Sequence, residues 1–278
     1  MATQDAFLGA YGLCLDGVDA ARDLLVEADP SWPRLALRSR IAASTVEQEW
    51  VRPDSAILKL KTGGHIELDR TGEEAVFVVA RVLSAEELVH PYLAPVAAVM
   101  AHWLGRESIH AGAFAVDGGV IGIVGDRESG KSSTLARLAL DGEEIVCDDM
   151  LVLEGSSVLA GPRSLDLREE PARRLGVGSS IGKAGARERW RLRLGDVRPD
   201  LRVKGWVHLA WGDRVEAVPL EGADRVARLL AQRGARLPSV EPSVLLDLAA
   251  LPSWEVRRPQ DWSSLGETAD CLRELARS

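Results

Sequence analysis

Cysteine is scarce in this chain: Cys14, Cys147 and Cys271 stand far apart among 278 residues. An odd number of unclustered thiols builds neither a disulfide framework nor a zinc site. Basic charge is also short. Lys and Arg number 34 against 42 Asp and Glu, a net charge of −8, which excludes the electropositive footprint of a nucleic-acid surface. No apolar run approaches the roughly 20 residues of a membrane-spanning helix. Met1-Ala2-Thr3-Gln4-Asp5 lacks the basic start and apolar core of a secretion signal. These absences together lead us to expect a soluble cytoplasmic protein. Aromatic residues make up only 5% of the chain, yet eight of them are Trp. With 46% hydrophobic residues, the length suffices for one large domain or two small ones.

Against that background, Gly125-Asp126-Arg127-Glu128-Ser129-Gly130-Lys131-Ser132 stands out. It matches the phosphate-binding pattern G-x-x-x-x-G-K-[ST]. The apolar run Val120–Val124 before it reads as a buried strand, and Ser133–Leu140 after it reads as a helix. Strand, glycine loop and helix are the context in which the pattern has physical meaning. Loop N–H groups can wrap a polyphosphate, and the helix N-terminus adds partial positive charge. In that arrangement residues 125–133, from Gly125 through Ser133, contact the nucleotide. Lys131 reaches the outer phosphates, and the Ser132 hydroxyl is a Mg²⁺ ligand.

A second feature follows. Glu144–Cys147 is a short apolar run ending in the adjacent carboxylates Asp148 and Asp149, 17 and 18 residues after Lys131. Successive strand side chains point to opposite faces, so such a pair can diverge, one carboxylate toward a metal and one toward an acceptor hydroxyl. Phosphoryl transfer uses groups in both roles. The plainer reading is an Asp-Asp turn.

Ile109-His110-Ala111-Gly112-Ala113, the turn Asp117-Gly118-Gly119, the glycine loop and Val146-Cys147-Asp148-Asp149 occur in an order that resembles the HPr kinase/phosphorylase-like family. That family is a branch of the P-loop proteins akin to phosphoenolpyruvate carboxykinase. The resemblance covers residues from about 106 to 170. It implies an α/β fold: a P-loop kinase core with a mixed sheet over 106–278, and an N-terminal α/β subdomain over 1–105. It implies ATP and Mg²⁺ as cofactors, with Asp148 as acid/base, Asp149 near the metal with Ser132, and His110 tuning or orienting Asp148. A satisfied hairpin histidine is the alternative for His110. Homo-oligomers are a further implication.

The chain departs from the family in two places. Arg127 and Glu128 replace the small residues of the G-D-S-G-x-G-K-S loop, and Gly182–Trp190 is at most an echo of the later glycine-rich signature. Both departures argue against HPr as the acceptor and against the reverse phosphorylase activity. They make the chain similar to divergent actinobacterial members of natural-product gene sets, including kinases of lasso-peptide precursors. The function expected is transfer of the γ-phosphoryl group to a hydroxyl of a small molecule or a peptide Ser. A non-catalytic ATP sensor, or an ATPase driving a partner protein, is the rival reading.

The remaining elements are read from local pattern. Ala6–Gly17 is a strand or buried helix, and Val18–Glu27 a short helix. Ser55–Lys61 and His65–Leu68 form a hairpin, Glu74–Ala80 a strand and Leu93–Leu104 a helix. Asp117-Gly118 is a hairpin turn. Gly176–Gly185 reads as a mobile loop. Arg187, Arg189, Arg191 and Arg193 share one face of a strand, read as a solvated edge in preference to a phosphate-facing strip. Strands are expected at 205–211, 215–220 and 254–257, and helices at 224–233, 239–250 and 270–277. Arg163, Arg168 and Arg127 are candidates to clamp a phosphate. Trp190, Trp206 and Trp211 are read first as core rings and second as stacking surfaces.

Overall fold

The computed structural model describes residues 7–43, 46–185, 187–198, 201–234, 239 and 241–278. The expectations for Met1–Asp5, Ala6 and Ala186 lie outside those residues.

Leu8–Ala10 and Leu13–Asp16 open an eight-stranded sheet. Across the sheet the strands run Val26–Glu27, Leu8–Ala10, Leu13–Asp16, Arg34–Ile41, Glu74–Val79, His65–Asp69, Ser55–Lys59 and Trp50–Val51. The expected helix over 18–27 is instead a 3₁₀ turn, Asp19–Leu24, followed by an edge strand. Ala21 in that turn has non-helical dihedrals, and six residues are too few to sustain an α-helix without packing on all sides. The hairpin over 55–69 and the strand from Glu74 form as the alternation predicts.

Helix Leu93–Trp103 is buried on nearly all sides. It packs between this sheet and a second one. The hydrophobic cluster around it also takes in Met150, Val152 and Leu159, so the first core crosses position 105. Tyr11 and Arg163 reinforce the junction: Tyr11 N–H donates to Ala160 O at 2.6 Å, and Arg163 N–H to Leu24 O at 2.8 Å.

The second, nine-stranded sheet carries the glycine loop. Gly112–Val116 and Gly119–Val124 form an antiparallel hairpin through Asp117 and Gly118, both at positive φ, as the Asp-Gly signal demands. Glu144–Cys147 pairs on one side of this hairpin, and Arg202–Trp211 runs parallel to Gly119–Val124 on the other. Ser253–Arg258 continues parallel beyond Arg202–Trp211. Both faces of the hairpin are covered, so its strands are uniformly buried. Helix Lys131–Leu140 and helix Ser264–Arg277 cover one face, with Leu135, Leu138, Ala269 and Leu272 buried between them. Helices Gly222–Ala231 and Pro242–Ala250 cover the other, over Trp206, whose indole N–H donates to Leu248 O at 2.8 Å. Trp206 is therefore a core ring.

Two expectations fail together in the third sheet. Ser179–Ala184 is a strand, not a mobile loop, and pairs with Arg187–Arg193. Arg187–Arg193 is the central strand, flanked on its other side by Ser164–Leu167. Its arginines thus stand on a central strand and not on a sheet edge. Arg191 is buried and spent on Asp166. Glycine content suggested a loop here, but the register shift between Ser180 and Gly182 absorbs a glycine inside a pairing strand. Among the described residues, no helix is long and apolar enough to cross a membrane.

Candidate active site

Strand Gly119–Val124 delivers the chain into the loop 125–130, and helix Lys131–Leu140 begins directly after it, two residues earlier than its pattern suggested. Gly130 is the helix N-cap at φ 82°, a left-handed conformation in which a side chain is strained. The helix leaves its first backbone N–H groups without intrahelical partners, and its dipole adds positive potential, so this end suits an anion. Lys131 folds back on the loop: its Nζ donates to Gly125 O at 2.6 Å and Asp126 O at 3.4 Å. Burial lowers the Lys131 pKa, opposed by the charges of Asp149, Asp148 and Asp126. Asp126, Arg127 and Glu128 are exposed, Ser129 is buried, and Ser133 is half-buried on the helix.

Asp148 and Asp149 begin where Glu144–Cys147 ends. Ser132 Oγ donates to Asp148 Oδ1 at 2.9 Å, and the Asp166 backbone N–H lies 3.4 Å from Asp148 Oδ2. Asp148 is 4% exposed. Burial drives its pKa well above the usual carboxylate range, and the charges of Asp149 and Asp166 push the same way, against the Ser132 hydrogen bond. Ser132 thus touches Asp148, whereas the sequence paired it with Asp149.

His90, which the sequence did not single out, joins both carboxylates, while His110 borders Asp149. His90, Asp148 and Asp149 each offer a ligand atom within 4.8 Å of the others. His90 follows the short helix Ala85–Val89, whose Ser84/Glu87 capping box fixes its start. The ring is buried. Its Nε2 has no hydrogen-bond partner and lies 3.4 Å from Asp166 Oδ2. Burial lowers the His90 pKa, while Asp166 and Asp149 raise it. His110 is exposed, and its backbone N–H donates to Gln232 O at 2.6 Å. Its ring senses Lys131 and Asp149: desolvation and Lys131 lower its pKa, and Asp149 opposes them.

Two carboxylates and an imidazole nitrogen are a donor set suited to a divalent cation, and the crowding of Asp148 against Asp149 and Asp166 is what such a charge relieves. The carboxylates are backed by a buried network. Arg191 donates to Asp166 through Nε (2.8 Å) and Nη2 (3.0 Å), and also to His90 O and Glu86. Tyr11 adds a ring from the N-terminal sheet. It sits so close to Gly161 that a methyl there would lie 2.8 Å from Tyr11 Cε1. Burial raises the Tyr11 pKa well above its ordinary value, and Cys147, Asp149 and Asp148 add to the shift.

The candidate arginines divide. Arg163 is buried and gives Nε, Nη1 and Nη2 to the carbonyls of Gly195, Val146 and Ile145, so it is not a phosphate clamp. Arg168 pairs with Glu128 of the loop at 2.5 Å, both side chains being exposed. The arginine that braces the loop is Arg258, whose Nη2 donates to Ser129 O at 2.7 Å. Burial lowers its pKa to about 10. Sequence patterns carry no mark for His90, Tyr11 or Arg258. Asp166 did leave one, an acid inside the apolar strand Ser-Leu-Asp-Leu.

Neither a family model nor a curated protein matches the chain. Among solved structures, the Hpr(Ser) kinase/phosphatase from Coxiella burnetii aligns at 13% identity and a TM-score of 0.31, over 62% of this chain and 88% of that one. A superposition that loose carries no argument about activity, and the chemistry must be judged from the site itself.

Proposed function

We propose that the chain is an ATP- and Mg²⁺-dependent kinase that transfers the γ-phosphoryl group to a hydroxyl of a small molecule or a peptide Ser. The observation that carries this reading is the contact of Ser132 with Asp148 at 2.9 Å. It joins the helix start, where phosphates belong, to a buried carboxylate placed to accept a proton from a bound hydroxyl. A bare nucleotide sensor needs no such acid/base group.

The loop N–H groups and Lys131 would bind the β- and γ-phosphates. Asp149, with the Ser132 hydroxyl as a further oxygen donor, would hold Mg²⁺, which supplies charge neutralisation at the phosphate oxygens. Asp148 takes the proton of the acceptor hydroxyl as that oxygen bonds to phosphorus and the bond to the ADP oxygen breaks. His110, at the rim beside Lys131 and Asp149, would orient the terminal phosphate rather than serve Asp148. The absence of the later glycine-rich signature supports a natural-product or peptide acceptor over HPr, in a cytoplasmic enzyme with a nucleotide domain over 106–278.

The test is incubation with γ-labelled ATP, Mg²⁺ and pooled amino acids, sugars, nucleosides and Ser-containing peptides, alongside Lys131→Ala. Label in one acceptor pool, lost in Lys131→Ala, is the expected result. ATP turnover that ignores every acceptor would favour an ATPase. A Lys131→Ala variant that binds and turns over ATP normally would sink the phosphate-loop assignment.

A further inference from the structure

The geometry points to Trp211 as the platform on which the base of a purine nucleoside triphosphate stacks when its phosphates occupy the loop 125–130. This inference rests on the nucleotide-binding reading above and adds the base subsite to it.

Trp211 is 41% exposed, the one exposed aromatic among the described residues. Its position is tied to the glycine loop. Val124 pairs with His208 in the parallel ladder, so Trp211, three residues further on, stands level with the loop that follows Val124. A methyl group built on Gly130 would lie 3.5 Å from Trp211 Cη2. The ring therefore borders the helix start, the end that suits an anion.

The order of strands fixes which end of the nucleotide meets it. Glu144–Cys147, Gly112–Val116, Gly119–Val124 and Arg202–Trp211 are successive neighbours. Asp148 and Asp149 thus leave the sheet on one side of the loop and Trp211 on the other. A polyphosphate whose terminal group faces the carboxylates must extend its nucleoside toward Trp211.

The ring is also held ready. The Arg258 guanidinium covers it at 4.4 Å from the centroid, and Arg258 is itself anchored on Ser129 O. Trp211 and Arg258 are partners in the parallel ladder, and Gly212 N–H donates to Arg258 O at 2.9 Å. A base landing on the accessible indole surface would continue this stack, and little side-chain freedom is left to lose. Stacking reads the face of a ring and not its edge, so ATP and GTP should bind alike and CTP more weakly.

The experiment is calorimetric titration of MgATP and of Mg-tripolyphosphate, which lacks a base, into the wild-type chain, Trp211→Ala and Trp211→Phe. Trp211→Ala should weaken ATP by about 10- to 100-fold and leave tripolyphosphate within about twofold, with Trp211→Phe intermediate. Equal weakening of ATP and tripolyphosphate would overturn the inference, because the ring would then act by supporting Arg258 and the loop. So would ATP binding that Trp211→Ala leaves intact, although the phosphate loop would stand. A wild-type chain that binds neither ligand overturns this inference along with the nucleotide reading.

Discussion

Ser132 Oγ and Asp148 Oδ1 are 2.9 Å apart, a hydrogen bond between the first turn of the loop helix and the end of a strand two places away in the sheet. Asp148→Asn keeps an acceptor for Ser132 but cannot take a proton. Transfer to the acceptor should fall by about 10²- to 10⁴-fold, while ATP affinity, measured by calorimetry, stays close to wild type. Retained transfer would remove Asp148 as the base.

The two histidines should separate. His90 lies in the cluster with Asp148 and Asp149, whereas His110 lies by Lys131 and Asp149. A buried ring that orients a carboxylate or holds a cation typically matters by about 10- to 100-fold. His90→Asn should therefore lower kcat by that amount and shift the acid limb of its pH profile, with His110→Asn milder and expressed mainly in KM for ATP. A milder His90→Asn with an unchanged pH profile would return the orienting of Asp148 to His110.

The contrast between these histidines marks how far the sequence is legible. Glycine loop, Asp pair and hairpin turn are contiguous in the chain, and each declares itself because its chemistry needs residues at fixed short spacings. The strand–loop–helix order follows from them. His90 and Tyr11 reach the same site from segments that touch it only through tertiary packing, and nothing local marks them, while Asp166 is marked only as an acid inside an apolar strand. The arginines over 187–193 show a related failure. Alternation placed them on one face, but the strand is central and not an edge, since Ser179–Ala184 and Ser164–Leu167 pair on either side of it. Periodicity gives the side of a strand and says little about what lies opposite. Trp206 and Trp211 share a strand and differ in fate for the same reason: one faces the helices over 222–250, the other the loop.

Arg191 and Asp166 form a buried pair whose side chains are 2% and 0% exposed. Removing one partner strands a charge with no water to receive it. Arg191→Met should cost about 3–5 kcal/mol in urea unfolding. Adding Asp166→Asn should recover part of that loss, because the orphaned carboxylate is gone. A double variant as unstable as the sum of the two singles would mean that the pair contributes only through packing.

His208 supplies the pH dependence of stability. Its ring is buried, Nε2 has no hydrogen-bond partner, and burial with help from Arg228 lowers its pKa to about 4, opposed by Glu255. An unfolded histidine titrates near 6.5. Between those values the unfolded chain takes a proton that the folded chain refuses. The contribution is therefore complete above about pH 6.5 and lost as pH falls toward 4, worth at most about 3 kcal/mol. Carboxylates titrate in the same window, so the informative quantity is a difference. Unfolding free energies of wild type and His208→Gln, compared at pH 7 and pH 4.5, should show a shallower acid loss in the variant. Parallel losses would mean that His208 is protonated in the folded chain at pH 4.5, with Glu255 winning over burial.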